Sequence, residues 1–346
     1  MAVRSSSARA GDVRAGPATP ILEAAGLCKH FRIGGLASRR WLHAVDDVDL
    51  AIGEREIVAL VGESGSGKST LARLLAMLHR PTGGEIRFHG RSLGRVRGRG
   101  DVLAYRRRVQ MVFQDPYSSL NPVYPASHGV VRALALHRPE IDRRTRTAYA
   151  ERILESVGLT PPGELMRSYP YELSGGQRQR FGIAQALACG PEMILADEPV
   201  SMLDVSIRIG VLNLIADLRS REGVSFLYIT HDIGSARYIA DRLLVMYAGH
   251  VVETGPVDDV LEHPRHPYTQ LLLSAVPDPG APLETLPPTD AGEPPRLVDP
   301  GAGCRFRARC PYAVQDCAEV TPRLRPMRPD HAAACHVARS EVLDDG

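Results

Sequence analysis

Gly62-Glu63-Ser64-Gly65-Ser66-Gly67-Lys68-Ser69-Thr70 is the stretch on which the reading of this chain turns. Before it runs Glu56-Ile57-Val58-Ala59-Leu60-Val61, apolar and of strand length; after it Leu71-Ala72-Arg73-Leu74-Leu75 continues as a helix. A glycine-rich turn of the form G-x-x-x-x-G-K-[ST] between a buried strand and a helix is a phosphate loop. Glycines let the backbone wrap closely, so that successive N–H groups point at phosphate oxygens, and the helix N-terminus adds positive potential. Lys68 is placed to reach the β- and γ-phosphates of a nucleotide and Ser69 to bind Mg²⁺. Gly62, Glu63, Ser64, Gly65, Ser66, Gly67, Lys68, Ser69 and Thr70 are therefore the expected nucleotide contacts.

Outward from the loop, Glu85–Phe88 and Val109–Phe113 read as short strands, and Met193–Ala196, Val224–Ile229 and Leu243–Met246 alternate with helical segments. Such alternation predicts a largely parallel sheet covered by helices, an α/β fold. Residues 116–172 change character: prolines, with Ile153, Leu154, Val157 and Leu159 at helical spacing, predict a helical insert. From about 277 to 303 the chain is rich in Pro, Gly, Asp and Glu and reads as a linker or extended arm. Met193-Ile194-Leu195-Ala196-Asp197-Glu198 is a strand with an acidic end downstream of a phosphate loop. Asp197 is expected to hold the Mg²⁺ shell and Glu198 to act as general base on the attacking water.

Composition bounds the rest. The chain has 346 residues, 44% apolar and 24% charged, with a net charge of +2. That balance excludes a wholly disordered chain and gives no support to nucleic acid as the main partner. No run approaches the ~18 uninterrupted apolar residues of a membrane span. The first 20 residues lack the apolar core of a secretory signal and read as a disordered tail. All basic residues but Lys29 and Lys68 are arginine. Arg91, Arg95, Arg97, Arg99 and Arg106-Arg107-Arg108 read as a solvated loop and helix face, with a lipid-headgroup contact as the alternative.

Leu173-Ser174-Gly175-Gly176-Gln177-Arg178-Gln179-Arg180 resembles the signature motif of ATP-binding-cassette (ABC) ATPases, and it lies between the loop and the acidic strand. Ser174 and the two glycines offer a hydroxyl and bare N–H groups at a helix N-terminus, a second anion site. The resemblance implies that Ser174, Gly175, Gly176 and Gln177 serve the γ-phosphate held by an opposite cassette. It likewise implies that Gln114 is the loop glutamine that senses Mg²⁺ and nucleotide. Ser201-Met202-Leu203-Asp204 would touch the partner cassette, and His231 would contact the γ-phosphate as the switch histidine. Catalysis would fall to Glu198, His231, Lys68 and Gln114. Phe31 stands where an aromatic stacks on adenine, with an ordinary core phenylalanine as the alternative.

The resemblance narrows further. Phe113-Gln114-Asp115-Pro116-Tyr117-Ser118-Ser119-Leu120-Asn121-Pro122, His263-Pro264-Arg265-His266-Pro267-Tyr268-Thr269 and Gly303-Cys304-Arg305-Phe306 with Arg309-Cys310-Pro311 resemble the ATPases of bacterial oligopeptide/dipeptide importers, in particular the second of their two paired subunits. Nickel and some sugar importers share this branch. What is implied is a P-loop NTPase core with a mostly parallel sheet, an antiparallel β subdomain, a helical insert and an irregular Cys-rich C-terminal extension. Its parts would be a tail over 1–20, a cassette over 21–255 with the insert at about 116–180, and the extension over 256–346. Cofactors would be ATP and Mg²⁺. Partners would be a second ABC ATPase subunit, as a heterodimer, two membrane permease subunits and an extracytoplasmic solute-binding protein, with no nucleic acid. The place would be the cytoplasmic face of the bacterial cell membrane, peripherally bound. The competing class is a soluble ABC ATPase acting on nucleic acid or ribosomes, against which stand the single phosphate loop, the single signature and the lack of sustained heptads.

Six cysteines are present, four of them at Cys304, Cys310, Cys317 and Cys335. Without a secretory signal they read first as metal ligands. The spacing is not that of a standard zinc finger. Four thiolates suit a 4Fe–4S cluster, with zinc second, disulfides third and free thiols as the bland alternative. Arg305, Arg307 and Arg309 are expected to favour the thiolates, and His331 or His336 to be able to replace a ligand. The segment has few large apolar residues, too few for a core of its own, and it carries no nucleotide motif.

Overall fold

The computed structural model describes residues 20–34, 39–95, 98–115, 120–275 and 297–339. The expected tail up to residue 19, the stretch 116–119 and most of the expected arm, 276–296, lie outside the described residues.

Two sheets carry the fold. β1 (Pro20–Ile33), β2 (Arg40–Gly53), β4 (Gly83–Phe88) and β5 (Arg91–Ser92) form an antiparallel sheet in the order β2-β1-β4-β5. Alternation buries Val48, Leu50 and Ile52 on one face of β2. The second sheet has the order β11-β12-β10-β9-β3-β8-β7-β6. In it β6 (Val109–Val112), β7 (Met193–Asp197), β8 (Ser225–Thr230), β3 (Ile57–Val61) and β9 (Arg242–Tyr247) pair in parallel. Every residue of β3, β7, β8 and β9 is buried, which is why the middle of each reads as an apolar run, with polar residues only at strand ends. β3 lies centrally, between β8 and β9, and its carboxyl end feeds the phosphate loop, the position where open parallel sheets bind ligands.

The helical insert contains α3 (Ser127–His137), α4 (Arg146–Ser156) and α6 (Gly175–Ala188), which pack on one another. Ile153 and Leu154 of α4, with Val157 and Leu159 just beyond it, join Leu134 and Phe181 in the core, as their spacing predicts. In the arginine run Arg91 and Arg99 are exposed as expected, Arg97 lies outside the described residues, and Arg106, Arg107 and Arg108 are half-buried. Arg106 donates to Met77 O at 2.7 Å, and Arg108 pairs with Glu192 while its guanidinium covers the Phe88 ring.

The extension does not stand apart. β10 (His250–Pro256) receives β12 (His331–Ala333) and then β11 (Arg325–Arg328), so the cassette sheet continues into it. Leu297, at the end of the expected arm, is buried, and its carbonyl accepts from His43 N at 2.8 Å. Phe306 is 2% exposed and packs on Tyr247 and Tyr268. The segment has no core of its own because it fills part of the cassette's.

Candidate functional site

The phosphate loop bridges β3 and α1 (Lys68–Leu75). Its first and last glycines are fixed by space. At Gly62, φ is +152°, and a Cβ would lie 2.1 Å from Met246 O; at Gly67, φ is +107°, and it would lie 2.1 Å from Ala44 O. No other residue fits either place. Lys68 Nζ folds back to donate to Gly62 O at 2.6 Å and Glu63 O at 2.8 Å. Burial pulls this ammonium below the usual lysine range, against the opposing pull of Glu198, Asp197 and Glu63. Ser66 Oγ is buried without a protein partner inside the same loop. A buried cation and an orphaned hydroxyl within a glycine cradle fit a polyanion.

Beside the loop, Ser69 Oγ donates to Asp197 Oδ1 at 3.0 Å. Burial pushes the Asp197 carboxyl up, and the Ser69 hydrogen bond pulls it back. Hydroxyl and carboxylate thus converge as a pair of hard oxygen ligands, of the kind Mg²⁺ takes. Glu198 follows with φ +48°, an uncommon backbone conformation for a residue with a side chain, held by Glu198 N to Ile229 O at 2.9 Å and Ser201 Oγ to Glu198 O at 3.0 Å. Its Oε2 accepts from Gln114 Nε2 at 2.8 Å, and its Oε1 lies 3.2 Å from His231 Nδ1. Three residues widely separated in sequence, at the ends of β6, β7 and β8, therefore meet around one carboxylate. His231 is 61% exposed and faces solvent, as a residue meeting an incoming ligand must.

Ser174 caps α6: its Oγ accepts from Gln177 N at 3.2 Å, and Gln177 Oε1 accepts from Ser174 N at 2.9 Å, a reciprocal capping box. Gly175 and Gly176 occupy the first turn of α6. A Cβ at Gly176 would lie 2.5 Å from Ile207 Cγ2, so this glycine also lets α7 (Val205–Glu222) approach. Asp204 is the exposed residue preceding α7. Next to it, Met202, Val205 and Ile209 form an exposed apolar patch.

A strand-loop-helix phosphate cradle, a Ser–Asp pair, a Glu–Gln–His group and a capped Ser-Gly-Gly helix start occur together in one chain. The ABC transporter family profile matches residues 45–201, and that of the oligopeptide/dipeptide transporter C-terminal region matches residues 252–317. The oligopeptide transport ATP-binding protein OppF of Escherichia coli is 42% identical over 311 residues, 88% of this chain and 92% of that protein. The chain belongs to the ABC transporter family. A second relative, YkfD of Bacillus subtilis, carries a provisional assignment as an oligopeptide transport ATP-binding protein; it is 42% identical over 93% of this chain and 96% of its own length. Among solved structures, the dimeric post-hydrolysis state of the ATP-binding cassette MJ0796, bound to ADP and Pi, superposes with a TM-score of 0.61 at 29% identity. It covers 68% of this chain and 98% of its own. ATP with Mg²⁺ is the nucleotide expected of such a cassette.

Other expected ligands have protein partners of their own. Phe31 is half-buried, its ring edge-on to His79 and under Lys29 Nζ at 5.0 Å, while that ammonium also donates to Arg80 O. Glu63 N–H is taken by Tyr268 Oη at 2.8 Å. The three arginines expected to favour the thiolates serve other groups. Arg305 pairs with Asp46 and donates to Ala248 O, Arg307 donates to Ala302 O and Ala318 O, and Arg309 binds Glu63. Accordingly burial pushes the Cys304 thiol up to about 11 and raises Cys310 as well. His331 Nε2 lies 2.7 Å from the fully buried Glu253 while its Nδ1 is buried without a partner, and His336 Nε2 is 2.8 Å from Val320 O. Among the described residues, one set of three metal-ligating side chains comes within 4.8 Å: Cys28, His30 and Asp46. Asp46 there already takes His30, His43 and the Arg305 guanidinium, which hold its carboxyl down at about 2; the set is closed by hydrogen bonds, with a cation in place. Sequence reasoning quoted Tyr268 and Arg309 within the motifs of the extension but missed that they grip the loop from outside, because no local pattern marks a partner so far off in sequence.

Proposed function

We propose that this chain is the ATP-hydrolysing subunit of an ABC importer for di- or oligopeptides. The observation that carries the reading is the meeting of Glu198 with Gln114 and His231 beside the Ser69–Asp197 pair. The cradle and Lys68 bind and neutralise the phosphates; Ser69 and Asp197 would hold Mg²⁺, which when bound would supply further charge neutralisation there. Glu198 takes a proton from the attacking water while Gln114 and His231 orient its carboxylate. Ser174, Gly175, Gly176, Gln177 and Asp204 act on the nucleotide of a second cassette, as a heterodimer. The exposed patch of Met202, Val205 and Ile209 supports that reading, as does the dimeric state of MJ0796. Phe31 stacks on adenine once Lys29 swings aside.

Residues 21–255 act as the cassette, with the insert at about 116–180, and 256–346 as the extension. Val123, Tyr124, Leu136 and Tyr171 are exposed on the insert and offer an apolar face to two membrane permease subunits. Among the described residues no helix is long and apolar enough to cross a membrane, which fits peripheral attachment at the cytoplasmic face. A solute-binding protein delivers the peptide outside, and nucleic acid has no part. Deleting the gene should abolish uptake of labelled short peptides, and restoring it with Glu198→Gln should not rescue uptake. Unchanged peptide uptake in the deletion strain rules out the cargo.

The four-cysteine segment is proposed to hold a 4Fe–4S cluster, with zinc as the alternative. Cys304 N donates to Cys317 O at 2.8 Å, so two of the four cysteines lie side by side. No three of the four bring their sulfurs within 4.8 Å of one another. A cluster, when bound, would supply a redox couple and a rigid crosslink. Anaerobic purification should give brown protein with iron and labile sulfide. Colourless protein with one equivalent of zinc would select the alternative, and protein with neither metal would remove both.

A further inference from the structure

Arg309 belongs to the extension, yet its guanidinium lies on the phosphate loop. Nη1 and Nη2 donate to Glu63 Oε2 and Oε1, each at 3.0 Å, a bidentate fork on one carboxylate. The Arg309 side chain is 9% exposed, packed near the rings of Tyr247 and Phe306, with Tyr247 Oη at 3.3 Å from Nη1. Glu63 N–H is held at the same time by Tyr268 Oη, and Tyr268, Tyr247 and Phe306 pack tilted and edge-on into one aromatic cluster. Glu63 is thus gripped at its backbone and its carboxylate by groups outside the loop. The phosphate-loop pattern leaves its second position open, so phosphate binding alone does not ask for a glutamate there.

We propose that Arg309 is a positioning residue for nucleotide binding, holding the phosphate loop through Glu63 in the shape that receives the phosphates. This rests on the ATP-binding reading of the loop. A loop free to move must be ordered when nucleotide arrives, at a cost to affinity; a loop ordered by the folded extension meets that cost beforehand. The effect falls on affinity and not on the chemical step, because the Glu198–Gln114–His231 group is built on other elements. It also makes the extension, which lacks any nucleotide motif, part of the nucleotide site.

The test is calorimetric titration of the full chain with MgATP, together with steady-state hydrolysis. Arg309→Ala should weaken binding roughly tenfold, a normal size for coupling between contacting groups, while kcat at saturating ATP stays within about twofold. Glu63→Gln, which keeps the side-chain size and leaves every residue of the extension in place while removing the carboxylate charge that Arg309 grips, should weaken binding to the same extent. The double variant should be no weaker than either single one, and Arg309→Lys, a point charge without the fork, should lie between. Losses that add in the double variant overturn the proposal. So does a loss in Arg309→Ala with none in Glu63→Gln, which would assign the effect to general loosening of the extension. Wild-type protein that binds MgATP alongside variants that bind equally well sinks this proposal alone; wild-type protein that binds none sinks the ATPase reading with it.

Discussion

Replacing Glu198 by Gln changes one property and few others. The side chain keeps its length, and the φ of +48° is no harder for Gln than for Glu. Gln114 Nε2 at 2.8 Å still finds an acceptor in the amide oxygen, and the amide nitrogen then faces His231 Nδ1 across 3.2 Å. What is lost is the negative charge and the ability to accept a proton from water. General-base groups contribute about 10²–10⁴ in rate, so turnover should fall at least about a hundredfold, or about 2.7 kcal/mol in the barrier. MgATP binding should stay within about threefold, because the cradle, Lys68 and the Ser69–Asp197 pair are unaltered. The assay is phosphate release at saturating MgATP beside calorimetric binding. With hydrolysis blocked, gel filtration in MgATP should show a larger, closed species. Turnover within tenfold of wild type, with binding intact, would refute Glu198 as the base.

Gly67→Ala should give an unfolded or nucleotide-blind protein, since its Cβ would sit 2.1 Å from Ala44 O at a φ of +107°; a normal melting temperature with normal MgATP binding would contradict the steric argument. Ser174→Ala removes the acceptor for Gln177 N and should cost about 1 kcal/mol of stability by denaturant titration, while MgATP binding by the isolated chain survives and MgATP-driven dimerisation weakens. It is a cleaner probe of the signature than any substitution at Gly176, which would strike Ile207. Burial lowers His250 and His266 to about 4, so the native state resists protons that the unfolded chain accepts below its ordinary histidine value near 6.5. Their contribution is whole above that value and is lost as pH falls towards about 4, with a slope of up to about 1.4 kcal/mol per pH unit for each. Unfolding free energies at pH 7.5, 6 and 5 should decline accordingly, and less steeply in His266→Asn, whose amide oxygen stands where His266 Nδ1 accepts from Tyr268 N.

The nucleotide site was legible because its chemistry demands fixed residue types at fixed short spacings. Gly62 to Thr70, Asp197, Glu198, Ser174 and His231 all announce themselves within a few residues of context. β3, β7, β8 and β9 were legible as apolar runs for a related reason, burial on both faces. β1 and β2 were harder to read, because register shifts near Leu27, Lys29 and His30 break the alternation. The seating of the extension was not legible at all. Arg309 and Glu63 are 246 residues apart, and Arg305 and Asp46 are 259 apart, and an arginine beside a cysteine looks like a partner for the thiolate when the carboxylate it will meet is so far off in sequence. The same holds for His331, whose buried partner Glu253 is a strand residue with no mark of its own.

β10 has β9 on one side and only the short β12 on the other. Cut away the extension, leaving the cassette alone, and the N–H and C=O groups that β10 now shares with Ala332 and Ala333 would face water. A bare strand at a sheet margin is a template for pairing with another chain. In the intact protein that margin is handed on to β11, four residues long, with Pro326 lacking an N–H and with Arg325 and Arg328 beside it, a poor surface for further growth. The last segment of the chain thus terminates the sheet, and a truncated cassette is expected to show this first as aggregation during expression, before any deficit in ATP turnover can be measured.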